Sequence, residues 1–159
     1  MPRMPSETAR SASDRLRESG LGTDLSFLLA RANALSVAAG NAALAPFGLK
    51  VRSFSVLALS VGEVRPTQRD LSEFLRLDPS QVVALVDELE KRKLVERRPD
   101  PADRRANVVV ATAEGRALHD RAASATKAAE RSLHGELGED DRRLLAGLLA
   151  RVAYPGESR

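Results

Sequence analysis

The sequence predicts a mainly α-helical chain with one small β-hairpin set among its helices, and three observations carry that prediction. Apolar residues recur at i, i+3 and i+4 over most of the chain, the period of a helix with one buried face. PTQRDLSEFLRLDPSQVVALVDELEK (residues 66–91) holds two helix starts, at Thr67 and Asp78, with little chain between them. RRPDPADRRANVVV (residues 97–110) then switches from a polar, proline-stiffened turn to a β-branched run.

Taken in order, residues 1–22 are polar and end in Gly20-Leu21-Gly22, which reads as a flexible arm or a loosely held helix. TDLSFLLARANALSVAAGNAALAPFG (residues 23–48) is apolar on most sides and stops at Pro46 and Gly48. A helix over 23–46 with so little polar surface needs more cover than one small domain provides. Lys50 to Val61 follows, with Phe54, Leu57, Ala58 and Val61 as its inner face and Gly62 as its end.

Thr67 with Asp70 forms a capping-box variant, and Leu71, Phe74 and Leu75 mark the inner face of the helix it opens. The chain turns at Arg76-Leu77. Asp78 caps the next helix, Pro79 sits where its missing N–H costs nothing, and Gln81 closes the box. Val82, Leu85, Val86 and Leu89 face inward; Ser80, Ala84, Asp87, Glu88 and Lys91 face outward, flanked by Gln81 and Val83. Two short helices joined by a tight turn make a helix-turn-helix. A strand from Leu94 to Arg98, a turn over Pro99–Asp103 and a strand from Arg105 to Ala111 add a wing.

Thr112 caps an Ala-rich helix running to about Glu136 and broken at Gly138. Glu139 and Asp140 start a last helix with Leu144, Leu145, Leu148, Leu149 and Val152 on one face. The two outer helical segments are apolar beyond what the middle module can cover, and Ala117, Ala122, Ala125 and Ala129 allow close helix approach, so a homodimer is expected. The fold class is therefore mainly α with a small β-hairpin wing, a winged helix-turn-helix flanked by N- and C-terminal dimerisation helices. Its organisation is an arm (1–22), an N-terminal dimerisation helix (23–46), the winged module (47–111), C-terminal dimerisation helices (112–154) and a tail (155–159).

Composition narrows the function. The 159 residues include no cysteine, which removes disulfides, thiolate metal sites and thiol-based sensing. His119 and His134 are too few and too far apart for a metal site and are expected to be exposed helix residues. No HExxH, GxSxG, Walker or dinucleotide motif is present, so neither an enzyme nor a bound cofactor or metal is expected. Aromatics make up only 3%, too few for a platform that stacks single-stranded bases. The charged N-terminus lacks the apolar region of a signal peptide, and no run is expected to span a membrane; a cytoplasmic protein without membrane contacts is expected.

Charge then points to a partner. The net charge is only +3, but residues 91–105 hold seven Lys or Arg against the acids Glu96, Asp100 and Asp103. A basic patch on a near-neutral protein suits a polyanion touching one edge, although a solvated surface has the same composition. Beside a capped helix-turn-helix, the DNA reading is favoured. Ser80, Gln81, Val83 and Ala84 lie in the first turns of the second helix, where side chains approach base edges. Gln81 suits adenine, and Val83 or Ala84 a thymine methyl. Pro99 and Pro101 stiffen the turn, Asp103 is expected to pair with an Arg and fix its direction, and Arg98 adds a nearby cation. Arg104 or Arg105 would then enter a minor groove or clamp a phosphate. Lys50, Arg52, Thr67, Gln68 and Arg69 start helices that can face the DNA backbone.

DPSQVVALVDELEKRKLVERRPDPADRRANVVVATAEGRAL (residues 78–118) resembles the signature of the MarR family of bacterial transcriptional regulators. The matching features are Val86-Asp87-Glu88-Leu89-Glu90, Leu94-Val95-Glu96-Arg97, Asp103-Arg104-Arg105 and Thr112-Ala113-Glu114-Gly115, and the flanking helices match over about residues 24–153. The resemblance implies a homodimer that lays each recognition helix (79–92) in a major groove and each wing (98–105) at a minor groove of a pseudo-palindromic operator in double-stranded DNA, usually as a repressor. It also implies a small organic effector, often anionic or phenolic; Arg31, Asn33, Ser36, Asn41, Phe47 and Phe54 are the candidate lining. Many relatives carry Thr and Arg where this chain has Val83 and Ala84, which implies weaker or differently placed base readout. The rival reading is a winged helix used only for protein–protein contact, which would bind without Arg104 and Arg105 and with little salt dependence.

Overall fold

Ser11 opens the first helix, Ala12–Arg17 (α1): its hydroxyl accepts from the Asp14 N–H at 3.1 Å while the Asp14 carboxylate accepts from the Ser11 N–H at 3.3 Å. The reciprocal cap satisfies two N–H groups that a helix start leaves without intrahelical partners. In this computed structural model residues 11–103 and 105–156 are described. The chain divides into two compact units, Met1–Val37 and Ala38–Arg159. The boundary falls within helix α2 (Leu25–Leu44). Of the arm read at 1–22, residues 12–17 are thus a capped helix, and residues 1–10 lie outside the described part.

Asp24 caps α2, its carboxylate accepting from the Phe27 N–H at 2.9 Å. Leu25, Leu28 and Leu35 are exposed along it. The stretch Leu25–Phe47, 23 residues, is long and apolar enough by length and composition to cross a membrane. Its small and amide residues leave Arg31 as the single charge, which makes the uncharged run longer than counting large apolar side chains suggests.

In the second unit the end of α2 turns through Ala45–Phe47 to Gly48, whose positive φ of 63° suits glycine. Helix α3 (Val51–Val61) buries Ser53, Val56, Leu57 and Ser60. The inner face expected from Phe54, Leu57, Ala58 and Val61 is therefore rotated, and all of these but Leu57 are only half-buried. Two serines sit inside because their hydroxyls are satisfied locally, Ser53 donating to the Lys50 carbonyl at 3.0 Å and Ser60 to the Val56 carbonyl at 2.8 Å. His119 is also corrected: its ring lies stacked on Phe54, centroids 5.5 Å apart, rather than in solvent, and His134 is half-buried.

Helix α4 (Gln68–Leu75) and helix α5 (Pro79–Lys91) form the helix-turn-helix, joined through Arg76 in the left-handed region at φ 55°. Left-handed backbone recurs at Arg65 (φ 50°) and Lys93 (φ 59°). Leu71 is buried on α4, whereas Phe74 is 57% exposed, against expectation. In an eight-residue helix the inward positions go to Leu71, Ser72 and Leu75, and Ser72 ties down the turn by donating to the Leu77 carbonyl at 2.7 Å. Phe74 instead stacks on Tyr154. On α5, Val82, Val86 and Leu89 are fully buried.

Strands β1 (Val95–Pro99) and β2 (Asn107–Ala111) pair antiparallel, Val95 opposite Ala111 and Arg97 opposite Val109. The paired region begins one residue later in β1 and two later in β2 than the sequence suggests. A third rung escaped sequence reading: the Val109 N–H donates to the Pro66 carbonyl at 2.8 Å and Thr67 bridges Val108. This leaves β2 central and Val108 to Ala111 all buried. Helix α6 (Ala113–Leu133) starts at Thr112, whose hydroxyl accepts from the Gly115 N–H at 3.0 Å and donates to the Lys93 carbonyl at 2.7 Å. Helix α7 (Glu139–Ala153) buries none of its residues; Leu144 and Val152 are each 63% exposed. The core is aliphatic, with Leu44, Leu57, Leu71, Val86, Leu89 and Val109 at its centre.

The cap of α4 makes a pH prediction. Hydrogen bonds from the Thr67 N–H (2.8 Å) and hydroxyl (2.7 Å) hold the Asp70 carboxyl below its ordinary range. A carboxyl whose folded pKa is depressed adds stability above its unfolded value, about 3.9, and loses it as pH falls through the folded value. Urea midpoints between about pH 5 and pH 2.5 should therefore fall less steeply for Asp70→Asn than for wild type; equal slopes would remove the cap from the acid sensitivity.

Candidate nucleic-acid interface

The start of α5 leaves Ser80, Gln81, Val83 and Ala84 exposed because Val82 and Val86 take the inward positions. The Gln81 side-chain oxygen accepts from the Asp78 N–H at 3.3 Å, which orients the amide at the helix start. Its NH₂ donors are not used by that bond. Lys50 and Arg52 stand exposed at the start of α3.

On α4 the candidate residues are partly committed within the fold. Thr67 is occupied as the N-cap, and Arg69 pairs with Glu73 at 2.8 Å. That partner raises the Arg69 pKa, chiefly through the hydrogen bond. The Gln68 oxygen accepts from Arg97 Nε at 2.8 Å.

Arg97 is the residue that sequence reading missed as a centre. Its guanidinium also meets the carboxylates of Asp87 (2.5 Å) and Glu90, and its backbone N–H donates to Glu90 at 3.1 Å. One side chain thus ties β1 to α5 and α4. Burial alone would lower its pKa, but the paired carboxylates outweigh it and the value is raised. The signal lay in the sequence: Asp87 and Glu90 stand three apart on one helix, with an Arg in the strand that follows. Arg92, counted in the basic patch, has a bracing role as well, donating to the Gly48 (2.6 Å) and Phe47 (2.8 Å) carbonyls.

The wing loop is organised by its aspartates through backbone bonds. Asp100 accepts from the Ala102 N–H at 2.8 Å, and Asp103 from the Arg105 N–H at 3.0 Å. Asp103 thus shapes the turn through the main chain instead of pairing with a described guanidinium, because its short side chain reaches the N–H two residues on. Arg105 is exposed, with no ion-pair partner among the described residues. Arg98 is exposed and pairs with Glu96. Arg104 lies outside the described residues.

The candidate effector lining falls in both units. In the first, Arg31 and Asn33 are exposed and Ser36 is half-buried. Arg31 borders a hollow of about 540 Å³ together with Arg17, Phe27 and Leu28. In the second, Phe47 and Phe54 pack half-buried against the core. Asn41 is partly committed to the fold: its side-chain oxygen accepts from the Val51 N–H at 2.8 Å and caps the start of α3, a bond that does not use its NH₂ donors.

A helix-turn-helix whose second helix presents an exposed first turn beside a β-hairpin is a winged helix-turn-helix. The family model described as "MarR family" matches residues 47–106. A MarR-family transcriptional regulator from Rhodococcus sp. RHA1 is 36% identical, with a TM-score of 0.77 over 92% of this chain and 99% of that one. CouR from Rhodococcus jostii RHA1, solved bound to p-coumaroyl-CoA, is 39% identical, with a TM-score of 0.78 over 89% and 99%. A transcriptional repressor named CouR, solved on a 23-mer DNA duplex, is 32% identical, with a TM-score of 0.77 over 84% and 95%. No curated protein matches the chain. The chain belongs to the MarR family of transcriptional regulators, which are DNA-binding proteins and not enzymes.

Proposed function

We propose that this chain is a cytoplasmic, ligand-responsive repressor that binds a pseudo-palindromic operator as a homodimer. The observation that carries the proposal is the exposed start of α5 held beside the wing by Arg97. Ser80, Gln81, Val83 and Ala84 read bases in the major groove. Arg98, Arg105 and Arg104 reach the minor groove or its phosphates. Lys50, Arg52, Thr67, Gln68 and Arg69 add backbone contacts; of these, Arg69 and Gln68 must share their side chains with Glu73 and Arg97.

The apolar faces of α2 and α7 support dimerisation, since a solvated row such as Leu144, Leu148 and Val152 calls for cover. A 39% identical protein bound to p-coumaroyl-CoA and a 32% identical repressor bound to DNA support the pairing of an aromatic effector with operator release. Such a ligand must bind better to the dimer geometry that misplaces the two reading helices.

Fluorescence anisotropy on DNA from beside the gene, across a salt series, tests this. Wild type should form a saturable, site-preferring complex with a steep salt slope, and Arg104→Ala/Arg105→Ala should reduce that slope by about 1 to 2. Equal binding to scrambled DNA, indifferent to the double substitution, would favour the protein-contact reading.

A further inference from the structure

Opposite the face of β1 that sends Arg97 to α5, Glu96 and Arg98 point the other way, as alternation along a strand requires. There they border a hollow of about 430 Å³ at the root of the wing. Its apolar lining includes Val110 and Ala111, only 6% and 7% exposed, and three arginines, Arg65, Arg98 and Arg116, border it. They come from three elements distant in sequence: the loop before α4, strand β1 and the first turn of α6.

Two of the three are held by the fold. Arg116 donates through Nη1 to the Val61 carbonyl at 2.5 Å, and Arg98 pairs with Glu96. Neither bond uses all the donors of a guanidinium, which has five. Arg65 has no hydrogen-bond or ion-pair partner among the described residues, and it stands on left-handed backbone just before Pro66. Three cations against one carboxylate leave a hollow with an excess positive charge of two, and guanidinium charge persists at any physiological pH. Planar guanidinium donors bordering one hollow from three separate elements suit an oxyanion such as phosphate, which a guanidinium can hold through two N–H groups.

We infer that this hollow binds a phosphate group through Arg65, Arg98 and Arg116, at a site separate from the reading helix. The group is a phosphate of the DNA backbone or of a small phosphorylated ligand; both present the same chemistry. Glu96 opposes it and partly occupies Arg98, so it sets the affinity.

The test has one arm without DNA, so it does not depend on the repressor reading. Melting of the full chain is followed with pyrophosphate against sodium chloride of matched ionic strength. Wild type should melt about 3 °C higher in millimolar pyrophosphate, Glu96→Gln should shift further, and Arg65→Ala should lose most of the shift while its melting in chloride stays unchanged. The second arm is the salt dependence of DNA binding, whose slope should fall by about 1 in Arg65→Ala if the group belongs to the DNA backbone. A pyrophosphate shift that needs Arg65, with an unchanged DNA slope, assigns the site to a free phosphorylated ligand. A changed slope alone assigns it to DNA. If wild type and Arg65→Ala behave alike in both arms, the hollow is not a phosphate site.

Discussion

Gly115→Ala should destabilise the protein by about 3 kcal/mol, although alanine is the better helix former. Within a helix that exchange normally gains close to 1 kcal/mol. Here an added Cβ would stand 1.9 Å from the Leu94 carbonyl oxygen and 2.8 Å from its carbon, both backbone atoms. The clash has no flexible side chain to absorb it, so the start of α6 must back away from the root of β1. That movement breaks the bond from the Thr112 N–H to the same Leu94 carbonyl, now 3.1 Å. Overpacking of this kind costs about 1–3 kcal/mol or more. Gly147 on α7 is the control within one protomer, where a Cβ at that position meets nothing within 4 Å. Gly147→Ala should be neutral or stabilising by up to about 1 kcal/mol. Urea unfolding that gave both variants the same sign would discredit the packing argument.

Arg97→Ala should cost about 2 kcal/mol and weaken DNA binding by more than the loss of folded protein accounts for. The side chain is 24% exposed, so its ion pairs are partly shielded from solvent without being fully buried. Its removal leaves the Asp87 and Glu90 carboxylates without their shared cation, and breaking a buried pair costs about 3–5 kcal/mol before discounting for exposure. Arg97→Lys should recover only part, since one ammonium cannot meet Gln68, Asp87 and Glu90 in the same fork geometry. Adding Asp87→Asn and Glu90→Gln to Arg97→Ala should restore some stability but not the DNA affinity, which needs α5 and the wing in register. Recovery of both together would reduce Arg97 to a charge-balancing role.

Much of the fold was legible because its signals are local. Asp78-Pro79 and Thr67…Asp70 mark helix starts through bonds within one turn, and Thr112…Gly115 marks the start of α6 in the same way. What escaped depends on partners distant in sequence. Pro66 and Val109 form a third rung that neither residue announces alone. Ser53 and Ser60 lie outside the expected inner face yet are buried, because their hydroxyls return to carbonyls at the start of and within their own helix. Phe74 and His119 were misplaced for opposite reasons: a large apolar ring found no room on an eight-residue helix, and a polar ring found a flat aromatic neighbour. At the candidate site, exposure of Ser80, Gln81, Val83 and Ala84 follows from helical period. The engagement of Gln68 and Asn41 in bracing does not, because it rests on contacts to Arg97 and Val51.

Among the described residues, the three left-handed positions outside glycine, Arg65, Arg76 and Lys93, share one further property: all are cations. An L-residue in that conformation gives up about 1–2 kcal/mol, which glycine would largely avoid. The module therefore forgoes several kcal/mol at its chain reversals and gains three formal charges at exposed positions. Charge so placed acts over a Debye length, about 8 Å in physiological salt, before any contact forms. Its influence falls on encounter frequency: a polyanion is drawn in and turned before a single base or phosphate has been touched.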